Sequence, residues 1–364
     1  MKDLALVVEE TIPAREKRAI SRKTNKIPDH IKEDEKLQGA MKHLPSNYNF
    51  EIPKTVWRIQ EAKAECVALQ MPEGLLLFAT TISDIIQEFT GADTVIMGDV
   101  TYGACCVDDF TAEALGADFL VHYGHSCLIP VNQTSIPCLY VFVDIQIDLP
   151  YLVEVVKANI PRERGFALVS TIQFLPSIHA LKQRLLEVEG YSRIRIPQCH
   201  PLSPGEILGC SAPRLDPSDV DLLVYVGDGR FHLEAAMIAN PEIAAYKYDP
   251  YTCDLTEETY DHVAMRQTRG AAISRASEAE VFGLVLGTLG RQGSPKVLQT
   301  LEAQLKGQRR STVTYLMSEI FPSKLQLVPK VQAWVQIACP RLSIDWGTAF
   351  ARYVKGLCSY RNRA

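Results

Sequence analysis

Three of the ten cysteines in this sequence stand where thiols could bind a metal: Cys105, Cys210 and Cys339. Each follows a glycine or an alanine, and these small residues let the backbone approach a bulky group closely. They lie roughly a domain's length apart, with no C-x2–4-C pair of the kind that usually marks structural zinc. Three thiolates from separate segments suit a [4Fe–4S] cluster with one iron open to a substrate. The alternative is three buried thiols without a metal.

Polar, glycine-rich segments follow several runs that we predict to be strands. Residues 227–232 (GDGRFH) combine a carboxylate, a guanidinium and an imidazole, and residues 122–125 (HYGH) hold two histidines. The second of these, His125, suits a hydrogen bond or a substrate contact better than a metal. The glycines in residues 287–293 would either cradle an anion or permit a tight turn from strand to helix. Because ligands collect at the carboxyl ends of parallel strands, we expect these segments to lie around a binding site.

Short β-branched runs alternate with segments of helical period along most of the chain. We predict four buried strands that begin near residues 66, 94, 119 and 139, four near 165, 194, 222 and 244, and three near 281, 312 and 333. Such near-continuous apolar runs are typical of parallel strands that are covered on both faces. The alternation therefore predicts an α/β fold of three recurring units, each with a small, mostly parallel sheet flanked by helices.

These patterns predict three domains and a tail. The domains span residues 43–150, 151–265 and 266–364, and the third is expected to be incomplete because no fourth strand is evident in it. Residues 1–42 are rich in charge and lack a sustained apolar period, so we expect a largely disordered or peripheral tail. The basic run at residues 15–18 is either a localisation signal or part of a solvated tail.

Composition limits the class of protein. The 364 residues are 47% hydrophobic and carry a net charge of −5, which leaves no electrostatic footprint for bulk nucleic-acid binding. No apolar run is long enough to span a membrane, and residues 1–18 lack the pattern of a secretion signal. We therefore expect a cytoplasmic protein, with a nuclear pool if the basic run is a localisation signal, and reduced cysteines.

Several long stretches make the sequence recognisable. It resembles the diphthamide synthesis family of noncanonical radical S-adenosylmethionine enzymes, from about residue 44 to residue 347. The stretches that carry the resemblance are LQMPEGL at 69–75, MGDVTYGACCVDD at 97–109, HYGHS at 122–126, PLSPGEILGC at 201–210, VGDGRFH at 226–232 and ACPRLSIDW at 338–346.

The resemblance implies three homologous domains around a central iron–sulfur site. By family motif, Cys105, Cys210 and Cys339 would hold the [4Fe–4S] cluster, and Cys106 would be a neighbour that does not bind iron. S-adenosylmethionine would bind the open iron and be cleaved to a 3-amino-3-carboxypropyl radical. That group would be transferred to the imidazole C2 of a histidine in translation elongation factor 2, which is the first step of diphthamide biosynthesis.

The resemblance also implies partners. The chain would be the catalytic subunit of a heterodimer with diphthamide biosynthesis subunit 2, and diphthamide biosynthesis protein 3 would supply electrons. No nucleic acid or membrane is implied. Gln173, Arg266 and Arg341 are candidates for contact with S-adenosylmethionine, since an arginine could bind its carboxylate by a bidentate pair.

Two alternatives and one departure stay open at this point. A quinolinate-synthase-like lyase would share three α/β repeats and three cluster cysteines, and a non-catalytic scaffold or electron-relay subunit would use its cysteines structurally. After residue 350 the sequence departs from the family pattern. We expect this departure to affect the closure of the third domain.

Overall fold

The computed structural model of the protein describes residues 26–99, 101–350 and 354–357. Three sheets dominate this part of the chain, and they are built in the same way. We number the strands of each sheet in chain order. Across each sheet they then lie in the order second, first, third, fourth. This repeated 2-1-3-4 order confirms the α/β fold with parallel sheets that the alternating pattern predicts.

The first sheet is entirely parallel. Its strands are β2 Cys66–Gln70, β3 Asp93–Met97, β4 Phe119–Tyr123 and β5 Cys138–Val141. Its helices are α1 Asp29–Lys32, α2 Glu35–Met41, α3 Ile52–Ala62, α4 Glu73–Leu76, α5 Ala79–Thr90 and α6 Asp109–Ala114. Two short strands, β1 Tyr48–Asn49 and β6 Asp144–Ile145, form a separate antiparallel pair. Strand β4 is buried along its whole length, as its apolar run predicts.

The second sheet has the four predicted parallel strands and one that the sequence analysis did not predict. The strands are β7 Phe166–Ser170, β8 Ile194–Arg195, β9 Leu222–Val226, β10 Ala244–Asp249 and β11 Asp254–Glu258. Strand β11 pairs antiparallel with β10 at the edge of the sheet. The helices are α7 Leu149–Asn159, α8 Leu175–Glu187, α9 Phe231–Ala239 and α10 His262–Ser277. A 3₁₀ turn at Ile172–Phe174 leads from β7 into α8.

The third sheet has a fourth strand where the sequence showed none. Its parallel strands are β12 Val281–Gly287, β13 Ser311–Met317, β14 Ala333–Ile337 and β15 Val354–Leu357. Its helices are α11 Pro295–Gly307, α12 Pro322–Gln326 and α13 Pro340–Asp345, followed by a 3₁₀ turn at Gly347–Ala349. The last strand has only four residues and includes a lysine and a glycine, so its sequence lacks the apolar run by which we recognised the others.

The structure describes only residues 26–42 of the predicted tail over residues 1–42. Its C-terminal part forms α1 and α2, whose Ile31 and Leu37 are buried in the core of the first domain. Asp34 caps the N-terminus of α2, and its carboxylate accepts hydrogen bonds from the N–H groups of Lys36 and Leu37. Two helices this short present too few apolar positions for a period to show. The basic run at residues 15–18 lies outside the described residues.

No helix in the described ranges is long and apolar enough to cross a membrane.

Candidate iron–sulfur site

Each of the three predicted cysteines lies in a tight segment beyond a sheet strand. Cys105 follows β3 in a turn where the N–H of Cys106 donates to the carbonyl of Gly103. Cys210 lies in a turn closed by backbone hydrogen bonds between Leu208 and Ser211. Cys339 comes two residues after β14 and is the residue from which α13 begins. The three domains therefore contribute one cysteine each.

The three thiols lie in one electrostatic environment. A hydrogen bond with Cys106 and burial raise the pKa of Cys105 well above its usual value, and negative charge on Cys106, Cys210 and Cys339 raises it further. Because such influence weakens with distance, the structure brings Cys105, Cys210 and Cys339 into one region. The described ranges contain no group of three His, Cys, Asp or Glu side chains arranged to hold a single metal ion.

Cys105 and its neighbour Cys106 have different surroundings. The amide of Gln292, from the third domain, donates a hydrogen bond of 3.3 Å to the sulfur of Cys106, which is buried. The hydrogen bond shared by the two thiols raises the pKa of Cys105 and, together with that of Gln292, lowers the pKa of Cys106 to about 7. The two thiols are thus hydrogen-bonded to each other, and Cys106 has a further hydrogen bond from Gln292. Cys105 lies in the electrostatic field of Cys210 and Cys339.

An arginine of the third domain docks on the Cys105 turn. The backbone N–H of Arg291 donates to the carbonyl of Cys105 at 2.9 Å. Its guanidinium donates to both carboxylate oxygens of Asp109, at 2.9 and 2.5 Å, and lies 3.9 Å over the ring of Phe110. Burial raises the pKa of Asp109, but Arg291 and the N–H of Ser135 lower it overall. Asp109 is therefore a fully buried carboxylate that Arg291 holds ionised.

A second arginine of the third domain docks on the Cys210 turn. Arg341, two residues after Cys339, donates to the carbonyls of Gly209 at 3.2 Å and Phe231 at 2.6 Å. It also pairs with Glu234 of the second domain and, at 2.9 Å, with Asp345 of its own helix. Its side chain is only 3% exposed.

A cavity of about 270 Å³ opens between the first and second domains. Among the residues that line it are His125, Ser126, Thr171, Gln173 and His232. Three buried atoms of this lining find no hydrogen-bond partner among the described residues: Nδ1 of His125, Oγ of Ser126 and Oγ1 of Thr171. Since buried polar groups are normally paired, this lining is suited to a polar ligand.

Burial controls the ionisation of the groups in and near this cavity. Burial lowers the pKa of His125 to about 4, and positive charge on His232 lowers it further. Burial also lowers the pKa of His232 to about 4, with further lowering by the charge of Arg341. Both imidazoles are therefore neutral at neutral pH. Glu206, which lies in the loop that pairs with the end of β7, has its pKa raised to about 7 by burial, against a small opposing effect of the Ser203 N–H. The two histidines that line the cavity are thus neutral, and the lining also includes the carboxylate residue Asp228.

The three predicted contacts with S-adenosylmethionine fall in three different places. Gln173 lines the cavity, and its amide donates to the carbonyl of Gly124 at 2.5 Å. Arg266 lies exposed on α10 and is not among the residues that line the cavity. Arg341 is not among the residues that line the cavity, and its guanidinium contacts two carboxylates and two carbonyls of the protein.

The structure also bears on the two interpretations of the glycines at 287–293. A Cβ on Gly290, whose φ is +54°, would come within 2.5 Å of the Cys106 backbone, and one on Gly293 within 2.3 Å of the Gly287 carbonyl. These glycines let the loop pack tightly against the Cys105 turn and against its own strand. This packing accounts for Gly290 and Gly293.

Sequence reasoning missed Arg291, Asp109 and Glu234. Arg291 lies in the loop that the glycines marked, so the loop was visible although its role was not. Asp109 and Glu234 look like ordinary acidic residues at the starts of helices, and nothing in the sequence pairs them with arginines far along the chain.

Comparison with known proteins supports the family resemblance. Residues 71–354 match the family model described as "Putative diphthamide synthesis protein". The chain is 58% identical to the human 2-(3-amino-3-carboxypropyl)histidine synthase subunit 1 over 342 residues, which cover 93% of this chain and 77% of that protein. It is 54% identical to the protein of the same name from Schizosaccharomyces pombe over 338 residues, which cover 92% of this chain and 78% of that protein.

Solved structures show the same fold. A crystal structure of Dph2 from Pyrococcus horikoshii has a TM-score of 0.67 and 26% identity, and the match covers 85% of this chain and 88% of that one. A second structure of that protein, with a 4Fe-4S cluster, has a TM-score of 0.68 at 24% identity, with the same coverage. The family model alone matches well over half of this chain. The chain therefore belongs to the diphthamide synthesis protein family.

Proposed function

We propose that this chain is the catalytic subunit of the enzyme that begins diphthamide formation. It would transfer a 3-amino-3-carboxypropyl group from S-adenosyl-L-methionine to the imidazole C2 of a histidine in translation elongation factor 2. The observation that carries the proposal is the convergence of Cys105, Cys210 and Cys339 from three domains. The cavity between the first two domains, with its unpaired polar atoms, supplies a place for a co-substrate. The 58% identity to the human synthase subunit 1 supports the choice of reaction.

The residues present fit a [4Fe–4S] cluster. The three cysteines supply soft thiolate ligands, and three ligands leave one iron free for a co-substrate. Cys106 would stay outside the ligand set, as the family motif implies, and its sulfur would keep the hydrogen bond that it accepts from Gln292. When bound and reduced, the cluster would supply the electron that cleaves the sulfur–Cγ bond of S-adenosylmethionine.

The chain's own residues would bind and orient the co-substrate. The cavity presents neutral His125 and His232, the hydroxyls of Ser126 and Thr171, and the amide of Gln173. Such groups can hydrogen-bond the amino acid or ribose portions of S-adenosylmethionine without a charge to repel its sulfonium. Because the cavity lies between two domains, both would fix the orientation of the sulfonium.

The name of the relatives, subunit 1, implies a synthase of more than one subunit. We propose diphthamide biosynthesis subunit 2 as the partner in a heterodimer and diphthamide biosynthesis protein 3 as the electron donor. Elongation factor 2 would be the protein substrate.

Anaerobic reconstitution tests this function. The chain, with subunit 2, is loaded with iron and sulfide, reduced with dithionite, and given S-adenosylmethionine and elongation factor 2. We expect a visible absorption band and an electron paramagnetic resonance signal from the cluster, and a mass increase on elongation factor 2 that corresponds to one 3-amino-3-carboxypropyl group. A chain that binds no iron, or a loaded chain that leaves elongation factor 2 unmodified, would overturn the proposal.

Single cysteine variants test the ligand assignment. Cys105→Ser, Cys210→Ser and Cys339→Ser should each lose most of the bound iron and all transfer, because serine is a poor ligand for iron–sulfur clusters. Cys127→Ser, at an exposed cysteine, and Cys106→Ser should retain the iron. Loss of iron in Cys106→Ser with retention in Cys105→Ser would show that the neighbour is the ligand instead.

A further inference from the structure

We propose that Arg291 and Arg341 are positioning residues that set the spacing of the three cysteines. Each joins the third domain to the cysteine turn of another domain, and we call the two sets of contacts the arginine clamps. The inference rests on the proposed function, since it concerns how the proposed ligands are held.

The two clamps are built alike. In each, an arginine of the third domain pairs with a carboxylate of the neighbouring domain: Arg291 with Asp109, and Arg341 with Glu234. In each, the guanidinium also lies over a phenylalanine ring close in sequence to that carboxylate. The distance to the ring centre is 3.9 Å for Phe110 in the first clamp and 4.3 Å for Phe231 in the second.

Each clamp also reaches a backbone carbonyl of a cysteine turn. The N–H of Arg291 donates to the carbonyl of Cys105 itself. Arg341 donates through its guanidinium to the carbonyl of Gly209, immediately before Cys210. Because Arg341 is two residues from Cys339, the second clamp connects two of the cysteine turns directly.

The glycines beside the clamps leave little room for another arrangement. A Cβ on Gly209 would lie 1.9 Å from the ring of Phe231, the ring on which Arg341 stacks. A Cβ on Gly290, adjacent to Arg291, would lie 2.5 Å from the backbone of Cys106. Gly290 thus lets the backbones of two domains come closer than a side chain would allow, and Gly209 does the same for its backbone and the Phe231 ring.

Contacts between domains must determine the distances among these thiols, because no domain contributes two of them. A hydrogen bond in the sheets cannot do so, since each described sheet belongs to one domain. Arg291 binds Asp109 through two nitrogens, and Arg341 binds Glu234 through one nitrogen and Asp345 of its own helix through two. Such buried charge-assisted hydrogen bonds are directional and resist rearrangement more than apolar contacts do. The clamps are therefore suited to orient the cysteines, as residues that hydrogen-bond around metal ligands typically do.

The experiment compares Arg291→Lys and Arg341→Lys with the wild-type chain. Lysine keeps the charge but cannot form the two-pronged pair. The proteins are reconstituted anaerobically with subunit 2, and we measure iron release to a chelator, the electron paramagnetic resonance spectrum of the reduced cluster, and the unfolding midpoint of the iron-free form. Arg58→Lys, at an exposed arginine that pairs with Glu61 within α3, is the matched control.

General stability is controlled separately. Gly283→Ala introduces a clash with Trp334 in the third sheet, away from the cysteine turns, and should lower the stability of the iron-free form. If a clamp variant fails to fold, Asp109→Asn and Glu234→Gln remove the partner charge and leave the arginines in place.

We expect iron release to quicken by roughly tenfold in each clamp variant, the lower end of what is typical for partners that orient metal ligands. The spectrum should change in the clamp variants alone, and Arg58→Lys and Gly283→Ala should release iron as the wild-type chain does. Iron release that follows only the unfolding midpoint, Gly283→Ala included, would overturn the positioning role but leave the proposed function intact. A wild-type chain that binds no iron would overturn both.

Discussion

At the scale of single residues, burial decides the ionisation of the groups near the cavity. Burial keeps water from stabilising the protonated imidazoles of His125 and His232, so both stay neutral, with pKa values of about 4. Glu206 is 2% exposed, and one of its carboxylate oxygens has no hydrogen-bond partner in the described ranges. Burial thus favours the uncharged form of acid and base alike.

Glu206 gives a pH-dependent prediction. Its pKa is raised from 4.5 to about 7 in the folded chain, so its contribution to stability is fully present below about pH 4.5 and is lost as the pH rises through 7. Glu206→Gln cannot ionise, and should gain stability relative to the wild-type chain across this range by an amount that approaches about 3 kcal/mol.

Urea unfolding of the iron-free proteins at a series of pH values measures this difference. Comparing the two proteins at each pH cancels the opposite slope that the buried histidines contribute. Parallel stability curves for the two proteins would contradict the prediction.

The residues of the site differ in how much their sequence context reveals. Cys105, Cys210 and Cys339 could be singled out because each follows a small residue and lies outside a strand. The choice of Cys105 over its neighbour Cys106 needed the family motif. The hydrogen bond that Cys106 accepts from Gln292 joins distant parts of the chain and leaves no trace in the local sequence. Arg291 and Asp109 could not be paired at all, because an ion pair between distant segments leaves no periodic trace.

At the scale of elements, the parallel strands were predictable and the exceptions were short or exposed. Strands β4, β7, β9 and β14 are buried throughout, which is why their apolar runs are continuous. Strand β11 is mostly exposed and acidic, and α1 has four residues, so neither carries a recognisable pattern. An edge strand or a single helical turn is determined by the surface that it meets, which local sequence does not record.

Gly283 shows how closely two strands of the third sheet pack. A Cβ at this position would lie 2.2 Å from the ring of Trp334 on the neighbouring β14. Gly283→Ala should therefore lower the free energy of unfolding by about 1–3 kcal/mol, as overpacking of a core typically does.

Gly39 is the matched control for this substitution. It lies within α2 with open space around its Cα, so Gly39→Ala should raise the free energy of unfolding by about 0.5–1 kcal/mol. Urea denaturation measures both changes. Equal effects of the two substitutions would show that the contact with Trp334 does not restrict the site.

At the scale of the whole molecule, the functional site is a junction of domains. The cysteines come from three domains, the cavity from two, and the arginine clamps from the third domain toward each of the others. A group bound at this junction contacts all three domains, so its binding free energy stabilises their arrangement as well as each turn.

Cluster loading should therefore protect all three domains together. Hydrogen exchange of the iron-free and reconstituted chains, measured anaerobically, should show slower exchange on loading in the turns around Cys105, Cys210 and Cys339. Cys127→Ser should show the same protection. Protection confined to one turn would contradict a shared site.

The order of the cysteines along the chain has a consequence for biosynthesis. A ribosome releases the turns around Cys105 and Cys210 well before Cys339, which follows β14 of the last sheet. Until β14 and α13 are in place, neither Cys339 nor Arg341 can meet the Cys210 turn. A nascent chain would therefore carry an unfinished ligand set through most of its synthesis, and iron delivery would have to wait for the third domain to fold.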